Sequence, residues 1–213
     1  MRSPNTLVLA ASLIIVVFVG PAMADDLYPP SWRGQNGTTM QVWEFSDPNP
    51  TPPPDPMVNP YGTPQAQVWT GIGHGWMDEW GNSQGMWPLS GTIEIWIPNR
   101  PQPLPFKDIW VQLTWTKQVS SSRPKVWEFA SGVIGTEVQR TVLGPTGLPA
   151  PYDTWYHSVF LIHLEPNPYW EIVKVDGTLV VDEIVVDTIC YPEPATAGLL
   201  LLGGLALLRR RKA

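Results

Sequence analysis

Between residues 25 and 191 hydrophobic and polar side chains alternate with period two in one stretch after another, and no apolar series there follows the 3.6-residue period of a helix. In residues 92–97, TIEIWI, the side chains Ile93, Ile95 and Ile97 share one face while Thr92, Glu94 and Trp96 share the other. Ile109, Val111, Leu113 and Trp115 alternate in the same way with Trp110, Gln112, Thr114 and Thr116. Each stretch reads as a half-buried antiparallel strand. Enrichment in β-branched and aromatic residues predicts further strands at 39–45, 66–70, 125–129, 137–143, 155–164, 169–175 and 178–189. Asp176-Gly177, between the last two, predicts a type I′ hairpin, because both turn positions want positive φ.

About nine strands separated by Pro and Gly clusters predict an all-β domain, an antiparallel β-sandwich of jelly-roll-like topology. An immunoglobulin-like sandwich is the rival, although the segment is long for one and lacks paired cysteines. Residues 47–64, DPNPTPPPDPMVNPYGTP, hold eight prolines. Proline cannot donate to a ladder, so this stretch predicts an extended loop that covers a sheet edge, with capture by an aromatic groove on a partner as the alternative. The echo of QVWEFS (41–46) in KVWEFA (125–130) is too short for a repeat and suggests equivalent strands of two sheets.

Both ends break the alternation. Arg2, an apolar run at 7–19 and the small-x-small site Ala22-Met23-Ala24 have the layout of a secretory signal peptide, residues 1–24, cleaved before Asp25. At the other end, residues 195–208 form an uncharged run of 14 residues. As a helix it would reach only ~21 Å, against a hydrocarbon core of ~30 Å. Gly203-Gly204 weakens it further, and Arg209, Arg210, Arg211 and Lys212 form a stop that should stay cytoplasmic. The order Pro192-Glu193-Pro194, short apolar helix and terminal Arg cluster resembles the PEP-CTERM sorting signal of Gram-negative-type bacteria, over 22 of the 213 residues. The resemblance implies processing near Pro192, Glu193 and Pro194 by the membrane enzyme exosortase. It also implies export through the Sec translocon, transient residence in the inner membrane with the C-terminus cytoplasmic, and a destination at the cell surface or in an exopolysaccharide matrix. A plain tail anchor is the alternative.

Removing both ends leaves 167 residues, 25–191, enough for one domain with its own core. Eight basic residues against 19 acidic ones give about −11 between Asp25 and Glu193. That surface argues against nucleic acid or anionic lipid and leaves cations and neutral glycans as partners. The single cysteine, Cys190, permits no intramolecular disulfide and reads as a small apolar residue ending a strand, with an intermolecular disulfide or a lipid modification beside the sorting motif as the alternative.

All 12 tryptophans fall in the exported segment. Aromatic faces stack on the apolar faces of sugar rings, so this composition suggests glycan binding. Trp43, Trp115 and Trp127 read as core. The sharper candidate is residues 71–87, GIGHGWMDEWGNSQGMW, a loop with five glycines and three tryptophans. There Trp76, Asp78, Glu79, Trp80 and Trp87 are the candidate ligand-binding residues, and a loop pinned by buried aromatics is the alternative. No catalytic residue is assigned. Asp78 and Glu79 are adjacent, so they do not form the spaced carboxylate pair that glycoside hydrolysis needs, and no nucleophile elbow, zinc helix or phosphate loop occurs. His157 and His163 share a strand face about 20 Å apart, too far to hold one ion. The stretch LVVDEIVVD resembles the last strand of jelly-roll carbohydrate-binding modules, which implies a structural calcium at Asp182 with Glu44 as partner; solvent-facing acidic residues on an edge are the alternative. The reading that follows is an exported structural or adhesive protein, with a carbohydrate-binding module recognising exopolysaccharide and an enzyme of matrix polysaccharide metabolism as alternatives.

Overall fold

The computed structural model describes residues 26–101, 104–168 and 170–191. The expected signal peptide, with Ala22 and Ala24, and the sorting segment, with Pro192, Glu193, Pro194, Arg209, Arg210 and Arg211, lie outside them. Among the described residues no helix is long and apolar enough to cross a membrane.

The described chain is all-β. Ten strands follow in order: β1 (Thr38–Glu44), β2 (Met57–Val58), β3 (Gln65–Trp69), β4 (Met77–Trp80), β5 (Ser83–Pro98), β6 (Phe106–Lys117), β7 (Lys125–Glu128), β8 (Thr136–Pro145), β9 (Thr154–Leu164) and β10 (Trp170–Tyr191). They join in one connected antiparallel sheet whose spine is β10. The first half of β10 pairs with β5 on one side and β7 on the other. Its second half pairs with β1 and β6. β9 and β8 extend the sheet beyond β6, while β3 and β4 lie against β5.

The period-two pattern sorts side chains as expected. Ile93, Ile95 and Ile97 are at most 1% exposed, and Ile109, Val111, Leu113 and Trp115 are fully buried. One hydrophobic cluster takes residues from both halves of the sheet, among them Trp43, Phe45, Val173, Val175, Ile184 and Val186. Burial of each large side chain contributes about 1.5–3 kcal/mol, which is what holds a disulfide-free domain together.

The expected type I′ hairpin at Asp176-Gly177 does not form. The ladder with β5 runs without a break from Trp170↔Pro98 to Val181↔Trp87 straight through both residues. Among the described residues none other than glycine has positive φ, so Asp176 cannot supply the first turn position. Gly177 serves a close approach instead: its φ is 152°, and a Cβ there would lie 2.9 Å from Leu179 Cγ and 3.1 Å from the Arg123 carbonyl. A bulge between Val181 and Glu183 leaves Asp182 unmatched against β6.

Lys107 is opposite Cys190 in the ladder, yet its ammonium bonds to the Glu171 carboxylate near the start of the same strand. The 19 residues from Glu171 to Cys190 would span roughly 60 Å if straight. The spine therefore doubles back, and Gly177 and the Asp182 bulge lie between its two halves.

The Pro-rich loop covers edges. Asp55 N–H donates to the Val42 carbonyl (2.9 Å) and Val42 N–H to that of Pro56 (3.1 Å) on the side of β1 away from β10, where β2 of the same loop also pairs. The Pro50 carbonyl accepts from Val68 of β3 at 2.7 Å. The two VWEF segments have opposite phase. Trp43 and Phe45 are buried and Glu44 is exposed, whereas in β7 Val126 and Glu128 are buried and Phe129 is half exposed. Trp127 thus departs from its expected place in the core: it is only half-buried and points to the outer side, because the pairing of Val126 with Val175 and Glu128 with Val173 puts its neighbours on the core side. Glu128 is accommodated there by the N–H groups of Ala130 (3.0 Å) and Ser131 (2.7 Å) and the Ser131 hydroxyl (2.6 Å).

Candidate glycan-binding groove

The stretch expected to be one long loop is mostly a hairpin. Gly81-Asn82 turns between β4 and β5, with Gly81 at φ 65°, the first central position where a type II′ turn needs a glycine. A Cβ on Gly81 would lie 1.9 Å from the Thr146 carbonyl, so the hairpin tip is pressed against the loop between β8 and β9. Asn82 fastens the contact, donating to the Pro145 carbonyl (3.1 Å) and accepting from the Trp155 indole (3.2 Å). Upstream, Thr70 Oγ1 donates to the His74 carbonyl (2.8 Å), and the His74 ring meets Ser90 Oγ at 3.2 Å.

These constraints shape an open groove of about 640 Å³. Trp76, Trp80 and Tyr152 supply its aromatic surfaces, and His74, Ser90, Gln118 and Thr178 its polar ones. Trp76 packs on the main core and donates its indole N–H to the Phe45 carbonyl at 2.7 Å. Trp80 packs with Met86, Trp155 and Val180 and meets the Tyr152 ring edge-on, with centroids 5.4 Å apart and planes at 83°. Both are anchored by packing on one side and leave part of the ring exposed to the groove.

Of the five candidate ligand-binding residues, the structure brings Trp76 and Trp80 together in the groove. Asp78 and Glu79 are exposed on β4 and do not line it, and among the described residues its lining includes no carboxylate. Trp87 is a correction: it is 5% exposed and belongs to the core, because it shares the buried face of β5 with Leu89 and pairs with Val181. Its contribution is packing. Tyr152 was not foreseen, since it comes from a Pro- and Gly-rich loop some 70 positions downstream of the hairpin and carries no local signal.

The calcium candidates are near one another along the ladder. Asp182 is the bulged residue and lines a smaller recess of about 280 Å³ with Asn82, Thr114 and Trp155. Glu44 is exposed at the end of β1 and is opposite Glu183. Among the described residues no group of three or more His, Cys, Asp or Glu side chains is placed to hold a metal ion. His157 and His163 lie apart, the first bonded to Thr114 (3.0 Å) and the second to Asp108 (2.6 Å). The Cys190 thiol is half-buried, donates to Asn99 Oδ1 at 3.6 Å and is pushed up in pKa by burial, which disfavours the thiolate.

A second polar constellation was not expected. Residues 26–33 cross the outer side of β6, β9 and the second half of β10. Tyr28 N–H donates to Gln112 Oε1 (2.8 Å), its carbonyl accepts from the Trp110 indole (2.9 Å), and its hydroxyl shares a hydrogen bond with Thr141 (2.7 Å). Arg33 is held between Asp26 and Asp187. Burial pushes the Asp187 carboxyl up to about 6 against the opposing pull of Arg33. Burial raises Asp26 as well, but hydrogen bonds from Arg33 and Gln112 outweigh it and hold that carboxyl below its ordinary value. Buried His157 is lowered to about 4, the Asp26 charge opposing only in part. Comparison with protein families, with curated proteins and with solved structures gives no match for this chain.

Proposed function

We propose that the chain is an exported, exosortase-processed component of the cell surface or extracellular matrix, and that it adheres to polysaccharide through the groove of Trp76, Trp80 and Tyr152. The observation that carries the binding part is the convergence of three aromatic side chains, from the β4–β5 hairpin with its approach and from the separate loop between β8 and β9, on one open groove with polar groups beside them. Flat aromatic surfaces take up the C–H faces of a sugar ring, and the polar side chains His74 and Ser90 beside them would bond its hydroxyls. A lining without carboxylates favours holding a glycan over hydrolysing one. The acidic segment, about −11, suits a neutral glycan better than an anionic one.

The architecture that best accounts for the doubled-back spine and the shared core is a two-layered antiparallel sandwich of jelly-roll type, with the two halves of β10 in opposite layers. Export rests on the sequence: residues 1–24 as signal peptide and 192–213 as the sorting signal, with the Sec translocon and exosortase as partners in transit. A glycan array probed with the full-length chain tests the binding. Trp80→Ala is expected to abolish the strongest signals, and unchanged binding in a folded Trp80→Ala protein would remove the groove from the account.

A further inference from the structure

The outer side of the sheet differs between the two halves of β10. Over β6 and β9 it is roofed by residues 26–33. Over β3, β5, β7 and the first half of β10 it is open to solvent, and it is aromatic: Trp69, Phe129 and Trp170 are 54%, 49% and 49% exposed, with half-buried Trp96 and Trp127 among them. The register arranges them in rows. Trp96 is opposite Ile172, and Phe129, whose N–H donates to the Ile172 carbonyl, continues that row. The next row is Gln67, Glu94, Lys174 and Trp127, and the one after it Trp69, Thr92, Asp176 and Lys125. Four strands at ~4.8 Å spacing make this surface roughly 14 Å across.

The charges within it cancel. Lys174 Nζ lies 2.5 Å from Glu94 Oε1 and 4.3 Å from the Phe129 ring centre. The Trp127 indole donates to Asp176 at 2.6 Å and carries Lys125 over its ring at 4.8 Å. Two cations and two anions lie between the aromatic side chains and leave no net charge.

We propose that this face is a second binding surface, which takes the flat side of an extended, neutral polysaccharide chain. The proposal rests on the polysaccharide reading above and extends it from the groove to the sheet. A monomer does not ordinarily leave so many large aromatics on one face without a partner. The alternation of aromatic rows with self-neutralised charges matches a sugar chain, whose ring faces are apolar and whose edges carry hydroxyls able to bond Glu94, Lys174 and Asp176. A second copy of this chain would have to strip water from those four charges against apolar side chains, at a cost its own contacts would not offset. A polyanion finds no net positive charge here and is repelled by the rest of the domain.

Depletion binding of the full-length chain in mild detergent to microcrystalline cellulose, chitin and insoluble β-1,3-glucan tests this. For the polysaccharide bound, Trp96→Ala/Trp170→Ala is expected to weaken binding about tenfold. Trp170→Ala alone, at a side chain half exposed to solvent and least able to disturb the fold, is expected to weaken it severalfold with an unchanged thermal transition. Loss in these variants with Trp80→Ala unaffected supports the face and removes the groove. Loss in Trp80→Ala alone overturns the face and leaves the groove reading intact. A wild-type chain that binds none of the three solids overturns the face, as does a wild-type dimer in sedimentation that Trp170→Ala converts to monomer.

Discussion

Arg33 and Asp187, 154 positions apart, meet in a fork of two 2.6 Å hydrogen bonds, Nε to Oδ1 and Nη2 to Oδ2. Asp187 is fully buried, and hydrogen bonds raise the Arg33 pKa further although burial alone would lower it. Removing Arg33 strands a carboxylate in the sheet. Arg33→Met is therefore expected to cost about 3 kcal/mol in urea denaturation at neutral pH, and adding Asp187→Leu should recover most of it. A single variant as stable as the wild type would mean that the roof contributes nothing.

The same cluster sets a pH dependence. The pKa of His157 is lowered to about 4, so its contribution is fully present above its unfolded value of about 6.5 and is lost as pH falls toward 4. Asp187 is raised to about 6, so its contribution is fully present below about 4 and is lost as pH rises through 6. The two slopes oppose each other between about pH 4 and 6. In His157→Asn the Asp187 slope is left uncovered, and the stability deficit of the variant should shrink by on the order of 3 kcal/mol between pH 7 and pH 4. Denaturation curves at both pH values decide it; an equal deficit at each sinks the idea.

The two VWEF segments make a paired test of phase. Trp43 is fully buried and Trp127 is half-buried on the outer side. Trp43→Ala should destabilise by about 3–5 kcal/mol, and Trp127→Ala by about 1 kcal/mol. Similar losses at the two sites would contradict the opposite phases.

Gly81 and Gly75 discriminate between backbone constraints near the groove. A Cβ at Gly81 meets the Thr146 carbonyl at 1.9 Å, on top of a φ of 65°, whereas one at Gly75 meets nothing within 4 Å. Gly81→Ala is expected to cost about 1–3 kcal/mol and to weaken glycan binding by displacing Trp80, while Gly75→Ala leaves the thermal transition unchanged. Thermal melts and the binding assay on the two proteins are the check.

Processing of the tail has its own readout. Protein recovered from the native host surface should lack residues 209–213, and an intact mass that retains them in most molecules would argue for a plain anchor.

Strand positions were legible wherever one face of a strand meets the core and the other is polar, as in Ile93, Ile95 and Ile97, because a period of two is a local property. The hairpin at Asp176-Gly177 was misread because its turn chemistry is also local, while the continuous ladder from Trp170 to Val181 comes from β5, some 80 positions earlier. Trp76 and Trp80 were legible as aromatic residues among glycines; Tyr152 became part of the groove only through the packing of Gly81 against Thr146.

By itself the sequence determined the all-β class, the strands with alternating faces, the edge-covering prolines and the acidic surface, all consequences of residue type and spacing along one segment. The tertiary structure decided which side of each strand lies outward. It placed Trp43 in the core and Trp127 outside from the same four letters, buried Trp87, and assembled an open face from Trp69, Trp96, Trp127, Phe129 and Trp170. Side-chain phase in a sheet depends on the register of the neighbouring strand, and a one-residue shift exchanges the two faces.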